Sequence, residues 1–95
     1  MFRHAVLWKM KNGSNSGEDV IKERLYALLP LVPQVRKMEI FKDVKHTPAS
    51  YDLMLYTEFD NESDYLIYAD HPEHVKVKKL IAELTCDRVV IDNDD

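Results

Sequence analysis

The stretch YADHPEH, from Tyr68 to His74, brings a tyrosine together with two of the four histidines of the chain. An imidazole exchanges its proton near neutral pH, and a phenol can hold or polarise a carbonyl oxygen. Such a group suits acid–base chemistry on a small carbonyl compound, for example proton abstraction beside a carbonyl or an aldol-type ring closure. The same residues also suit metal ligation or the joint between two helices.

The spacing of these residues leaves the three interpretations open. His71 and His74 lie three positions apart and can share one helix face, with Tyr68 three positions earlier. A zinc site would need His4 as a third ligand, but the strong zinc spacings are absent, so no metal is predicted. In the structural interpretation Tyr68 is a core aromatic residue and the histidines bond to helix ends. Residue types alone favour this last role.

The first elements follow from apolar periodicity. Phe2–Met10 alternates as a strand, with His4 and Trp8 on one face and Leu7 on the other. The loop NGSNSG follows, and Ser16 is predicted to be the N-cap of a helix. Apolar residues at helical spacing then lead to prolines that end this helix, Pro30 and Pro33.

Three further strands are predicted: Val35–Val44, Tyr51–Phe59 and Arg88–Asp92. In the first of these, Met38 and Ile40 lie opposite Phe41. The acidic tail after the last strand is expected to fray.

Two helical pieces lie between the third and fourth strands. Asn61 is predicted to cap a helix that runs from Glu62 towards Ala69. Asp70 is predicted to cap the second piece, because Glu73 follows at the spacing of a capping box. Pro72 suits the first turn of that piece, where its missing N–H costs little.

The resulting order is β-α-β-β-α-β, an α+β ferredoxin-like arrangement with a four-stranded antiparallel sheet, and residues 1–95 are expected to form a single domain. Both faces of this sheet are apolar, since Leu53 and Leu55 oppose Met54 and Tyr56. Helices can cover only one face. We therefore expect a homodimer that packs through the other face. A different partner, or apolar residues left exposed, are the alternatives.

Composition excludes other classes of protein. The net charge of −4 and the pI near 5.5 disfavour a nucleic-acid partner. No apolar stretch approaches the ~18–20 residues that span a membrane, so no membrane partner is predicted. The single cysteine, Cys86, cannot form an intramolecular disulfide and is expected to be a small buried hydrophobe. A cytoplasmic location is predicted.

Three segments carry a family resemblance: HAVLWKMK, then YDLMLYTEFDNESDYLIY leading into YADHPEHVKV, and finally RVVIDND. Over Met1–Asp92 the chain resembles the stress-responsive dimeric α/β-barrel family. The resemblance implies a ferredoxin-like protomer whose sheet pairs with a second sheet to close a barrel. The family includes plant stress-responsive proteins without an established reaction and a plant polyketide-cyclising enzyme, olivetolic acid cyclase.

The resemblance also implies site residues. Tyr68 and His74 match the catalytic tyrosine and histidine of that cyclase, and His4 matches a histidine that lines the cavity of the enzyme. The residues expected to contact a ligand are His71, Tyr26 and Trp8. No cofactor is implied.

Two functions follow as expectations. The first is binding of a small apolar or carbonyl-bearing molecule in a pocket between sheet and helices. The alternative is a cofactor-independent enzyme in which Tyr68 polarises a carbonyl, His74 abstracts a proton and His4 positions the substrate.

Overall fold

Seven elements follow one another in the computed structural model, which describes all of residues 1–95. They are β1 (Phe2–Met10), α1 (Glu18–Tyr26), β2 (Lys37–Lys42), β3 (Leu53–Phe59), α2 (Glu62–Ala69), α3 (Pro72–Leu84) and β4 (Thr85–Asp94). The strands form one antiparallel sheet in the order β2-β3-β1-β4. This is the predicted ferredoxin-like α+β fold, with the second helical segment divided into two helices.

The core lies between one face of the sheet and the helices. Every second residue of β1 and β3 is buried, because successive side chains of a strand point to opposite faces. Phe59 of β3 is fully buried and packs with residues that α1 and α3 contribute, Ile21, Leu25, Val77 and Ile81. His4 and Trp8 belong to this helix-covered face and are nearly inaccessible.

The opposite face of the sheet is open and apolar. Leu7, Met54 and Tyr56 are half-buried at its centre. Phe41 on β2 and Val89 and Ile91 on β4 are exposed around them, Ile91 to 69%. The predicted division of the strands into two apolar faces is therefore confirmed.

Three strands differ in length from the prediction. β3 begins at Leu53 instead of Tyr51. β2 is shorter, Lys37–Lys42 instead of Val35–Val44, although Met38 and Ile40 do face the core and Phe41 does not. β4 is longer, since it pairs with β1 along Thr85–Asp94. The prediction of a frayed acidic tail is wrong, because these residues form the edge of the sheet.

The cap of α1 differs from the prediction. Its N-cap is Gly17, whose φ of 109° lies in the left-handed region that favours glycine. A Cβ at this position would lie 3.2 Å from the Leu84 side chain. Ser16 does not cap the helix, because its hydroxyl donates to the carbonyl oxygen of Gly13.

The cap of α3 is also shifted by one residue. His71, not Asp70, is the N-cap, and its Nδ1 accepts a hydrogen bond from the Glu73 amide at 3.1 Å. Asp70 instead ends α2. Pro72 is the first residue of α3, as predicted.

Asn61 provides a simple test of the capping assignment for α2. Its Oδ1 accepts from the Asp64 amide at 2.9 Å, so Asn61→Ala leaves that donor without a protein partner. We expect Asn61→Ala to lower the free energy of unfolding by about 1 kcal/mol, measured by urea denaturation. Asn61→Asp keeps an acceptor and should retain most of the stability. Equal stability of the alanine variant and the wild type would contradict the assignment.

The helices are short. The longest, α3, has 13 residues, and none of the helices combines the length and apolarity needed to cross a membrane.

Candidate functional site

A cavity of about 460 Å³ lies between the helix-covered face of the sheet and α3. Its floor is formed by β1 and β4 and its wall by α3. Most of its lining is apolar, including Val6, Leu55 and Ile81. His4 and His74 add buried polar atoms. Size and lining are those of a small-molecule site.

His4 reaches the cavity from the middle of β1. Antiparallel pairing places Asp92 of β4 directly opposite, and the His4 Nδ1 lies 2.6 Å from the Asp92 Oδ1. A carboxylate oxygen accepts, so Nδ1–H donates and Nε2 keeps its lone pair for a ligand. Burial lowers the pKa of His4, although the bond to Asp92 opposes that shift. The bond to Asp92 therefore fixes the tautomer of His4 and leaves its Nε2 as an unused hydrogen-bond acceptor.

His74 reaches the cavity from the first turn of α3. Its Nδ1 lies 3.1 Å from the carbonyl oxygen of Ala69, which can only accept, so Nε2 is again the unprotonated nitrogen. Burial lowers the pKa of His74 to about 4, and the nearby charge of Lys78 acts in the same direction. His74 is therefore neutral at pH 7. A base this weak is better suited to accept a hydrogen bond than to remove a proton from carbon.

Tyr68 lies behind His74. The two rings are 4.1 Å apart between centroids, and Phe59 packs at 5.4 Å on the phenol ring. The Tyr68 hydroxyl is buried without a hydrogen-bond partner. Burial raises the pKa of Tyr68 well above its usual value, so the hydroxyl keeps its proton. Tyr68 does not itself line the cavity and contacts that site through His74.

Trp8 lines the cavity floor, as predicted for a ligand-contacting residue. Its indole N–H is buried and has no hydrogen-bond partner. It is also the only tryptophan of the chain. Its fluorescence therefore reports on this cavity alone.

Two predicted ligand contacts lie elsewhere. The Tyr26 hydroxyl accepts from the Ile40 amide of β2 at 3.2 Å, on the side of the sheet away from β4. His71 is occupied in capping α3. Neither residue lines the cavity. The expectation that they contact a ligand in the cavity does not match these positions. The orientation of α1 directs Tyr26 towards β2, and the capping hydrogen bond holds the His71 side chain at the end of α3.

Several residues at the site were not predicted from the sequence. Asp92 could have been found from the β1–β4 register, which places it opposite His4. Lys78 lies four residues after His74 and so on the same face of α3. The Tyr65 ring lies 4.7 Å from that of His4, and its position three residues before Tyr68 on α2 could have indicated it.

One prediction about the β4 side of the cavity is wrong. Cys86 lines the cavity and is exposed, not buried as expected. The reason is that β4 is an edge strand that the helices leave uncovered. Arg88 and Asp87 lie beside it.

Fold and site together define a ferredoxin-like α+β protein with a small-molecule-sized cavity under its helices. The profile of the Stress responsive A/B Barrel Domain family matches residues 2–95. The chain belongs to this family, and the sequence resemblance is confirmed.

Solved structures similar to this chain include proteins with and without a known activity. A dimeric protein of unknown function and ferredoxin-like fold from Bacteroides fragilis is 32% identical, with a TM-score of 0.82 over 99% of this chain and 95% of that one. A family protein from Mesorhizobium loti is 25% identical, with a TM-score of 0.73 over 99% and 95%. The hydroxynitrile lyase of Passiflora edulis is 16% identical, with a TM-score of 0.83 over 97% and 90%, and shares the fold. No curated protein matches the chain.

Proposed function

We propose that this protein binds a small apolar or carbonyl-bearing molecule in the cavity between sheet and helices. The observation that carries the proposal is the cavity itself, whose apolar lining surrounds a few unused polar atoms. The Nε2 atoms of His4 and His74 are acceptors for a ligand hydroxyl or water.

Trp8 fluorescence tests the proposal, with methyl hexyl ketone as a neutral carbonyl-bearing probe. We expect a saturable change in emission. His74→Ala should weaken binding by up to about tenfold, because the imidazole that packs against the ligand from the α3 wall is lost. His46→Ala removes a histidine from an exposed loop outside the cavity and serves as the control. Native mass spectrometry of gently purified protein should in addition detect an adduct. No saturable change and no adduct would reject the proposal.

Homodimer formation through the open sheet face is part of the proposal. Support comes from the apolar residues at the centre of that face, above all Leu7, Met54 and Ile91. The Bacteroides fragilis relative is described as dimeric. Two such faces packed together would close a barrel and bury these side chains. We also propose a cytoplasmic location, since an exposed free thiol such as Cys86 suits a reducing compartment.

A second candidate function is acid–base catalysis, favoured by one observation, the bond between His4 and Asp92. The carboxylate would stabilise the imidazolium that forms when Nε2 takes a proton. In that mechanism His4 is the base instead of His74, and His74, with the Tyr68 ring behind it, positions the substrate. Binding remains the favoured function, because relatives of unknown activity are as similar in fold as the lyase.

Hydrogen–deuterium exchange beside the carbonyl of methyl hexyl ketone, followed by NMR, separates the two functions. A catalyst of this kind accelerates the exchange, and His4→Gln and Asp92→Asn should each return the rate towards that of buffer. His46→Gln should leave it unchanged. Wild-type protein that binds the ketone without accelerating exchange would exclude the catalytic candidate and leave binding in place.

A further inference from the structure

Two cationic side chains face the cavity without a partner. Lys78 on α3 and Arg88 on β4 both line it and are exposed. The ion pairs of the protein all lie elsewhere, so neither cation has a carboxylate oxygen within 4.0 Å. Both are therefore free to bind a ligand.

The acidic groups near these cations are, by contrast, engaged. Asp87 accepts from the Tyr51 hydroxyl at 2.9 Å and from the Arg88 amide at 2.8 Å. Asp92 accepts from the His4 imidazole at 2.6 Å. These donors are neutral, so both carboxylates keep their negative charge. Among the residues that line the cavity, Lys78 and Arg88 are cationic and only Asp87 is anionic, which leaves the lining at +1 with neutral histidines, although the chain as a whole carries −4.

Lys78 and Arg88 stand on different walls of the cavity. Arg88 is the cross-strand neighbour of Trp8 on the sheet floor, whereas Lys78 follows His74 by one turn of α3. Both charges lower the pKa of His4, which is the effect expected of cations directed at the same space. An anion between these walls would meet both of them.

We propose that the ligand of this cavity is a monocarboxylate with an apolar body, whose carboxylate contacts Lys78 and Arg88. This inference rests on the proposed binding function and specifies its ligand class. A carboxylate satisfies both cations, since charge-assisted hydrogen bonds to Lys and Arg are stronger than neutral ones. A neutral ketone would leave both cations unpaired, and an amine would be repelled.

Four probes with apolar bodies of similar size test this ligand class: octanoate, n-octanol, methyl hexyl ketone and n-octylamine. Titrations followed by Trp8 fluorescence should show octanoate binding about tenfold more tightly than the ketone or the alcohol. Octylamine should bind most weakly. The preference for octanoate should decrease as salt is added, because both cations are exposed and their charges are screened.

Substitutions then assign the preference to the two cations. Lys78→Met and Arg88→Leu should each lower the ratio of octanoate affinity to ketone affinity by about three- to tenfold. Lys78→Glu should shift the preference towards octylamine. Lys79→Met and Arg24→Leu remove the same charges at exposed positions outside the cavity and should keep the wild-type ratio. Circular dichroism verifies that each variant is folded.

The outcomes separate this inference from the proposed function. Equal binding of octanoate and the ketone, or a preference for octylamine, would overturn the carboxylate assignment while binding itself stands. An octanoate preference that survives loss of both cations would also overturn it. Failure of all four probes to bind would reject the proposed function and this inference together.

Discussion

Leu7→Asp is expected to convert a dimer of this protein into a monomer. Leu7 lies at the centre of the open sheet face, between Met54 on β3 and Val89 on β4. In a monomer the new carboxylate would be accessible to water and would lower the stability of the fold only slightly. In a face-to-face dimer it would be buried without a partner, which costs several kcal/mol. We expect the dissociation constant to rise by about 10²–10³-fold.

Sedimentation or light scattering measured over a range of concentrations would detect this change. Val20→Asp is the control, because Val20 is an exposed apolar residue on α1, outside the sheet face. That variant should remain dimeric. A folded Leu7→Asp variant that keeps the wild-type mass would place the interface elsewhere. A monomeric Val20→Asp variant would place it on the helices.

The second large effect expected is a loss of stability between pH 6.5 and about pH 4, the usual value of a histidine and the pKa of buried His74. In this window the unfolded chain binds a proton at His74 that the folded chain does not, so stability falls as the pH falls. The shift corresponds to on the order of 3 kcal/mol. Burial lowers the pKa of His4 as well, which adds to the loss in the same direction.

Urea denaturation at a series of pH values would measure this dependence. His74→Gln cannot take up the proton, so its stability should vary less over the window. His46→Gln, in an exposed loop, should keep the wild-type dependence. Surface carboxyl groups whose pKa is lowered by a neighbouring donor, such as Asp60 beside Arg36, titrate below this window and do not obscure it. Identical pH profiles for the wild type and His74→Gln would refute the assignment.

The acid sensitivity concerns the same cavity as the two cations. Neutral histidines at pH 7 offer acceptors for a ligand hydroxyl, whereas protonated ones would add to the charge of Lys78 and Arg88. A bound carboxylate should therefore reduce the acid sensitivity, since an anion near His4 favours its protonated form.

Local patterns in the sequence determined the strand faces and the element order. Alternation along Phe2–Met10 assigned His4 and Trp8 to one face and Leu7 to the other, because the side-chain period of a strand is two wherever the strand pairs. Pro72 likewise identified the start of α3, since proline is tolerated only in the first turn. The family resemblance also came from the sequence, through segments that span nearly the whole chain.

Tertiary structure alone decided which of these residues meet. The bond between His4 and Asp92 depends on the register of two strands at opposite ends of the chain, and no local pattern encodes a register. The rotation of α1 directs Tyr26 to β2, and the cap of α3 withdraws His71 from the cavity. Sequence periodicity specifies which face of an element is apolar. The partner of a polar side chain on that face is specified by packing between elements, and so the cations of the cavity were found only in the folded chain.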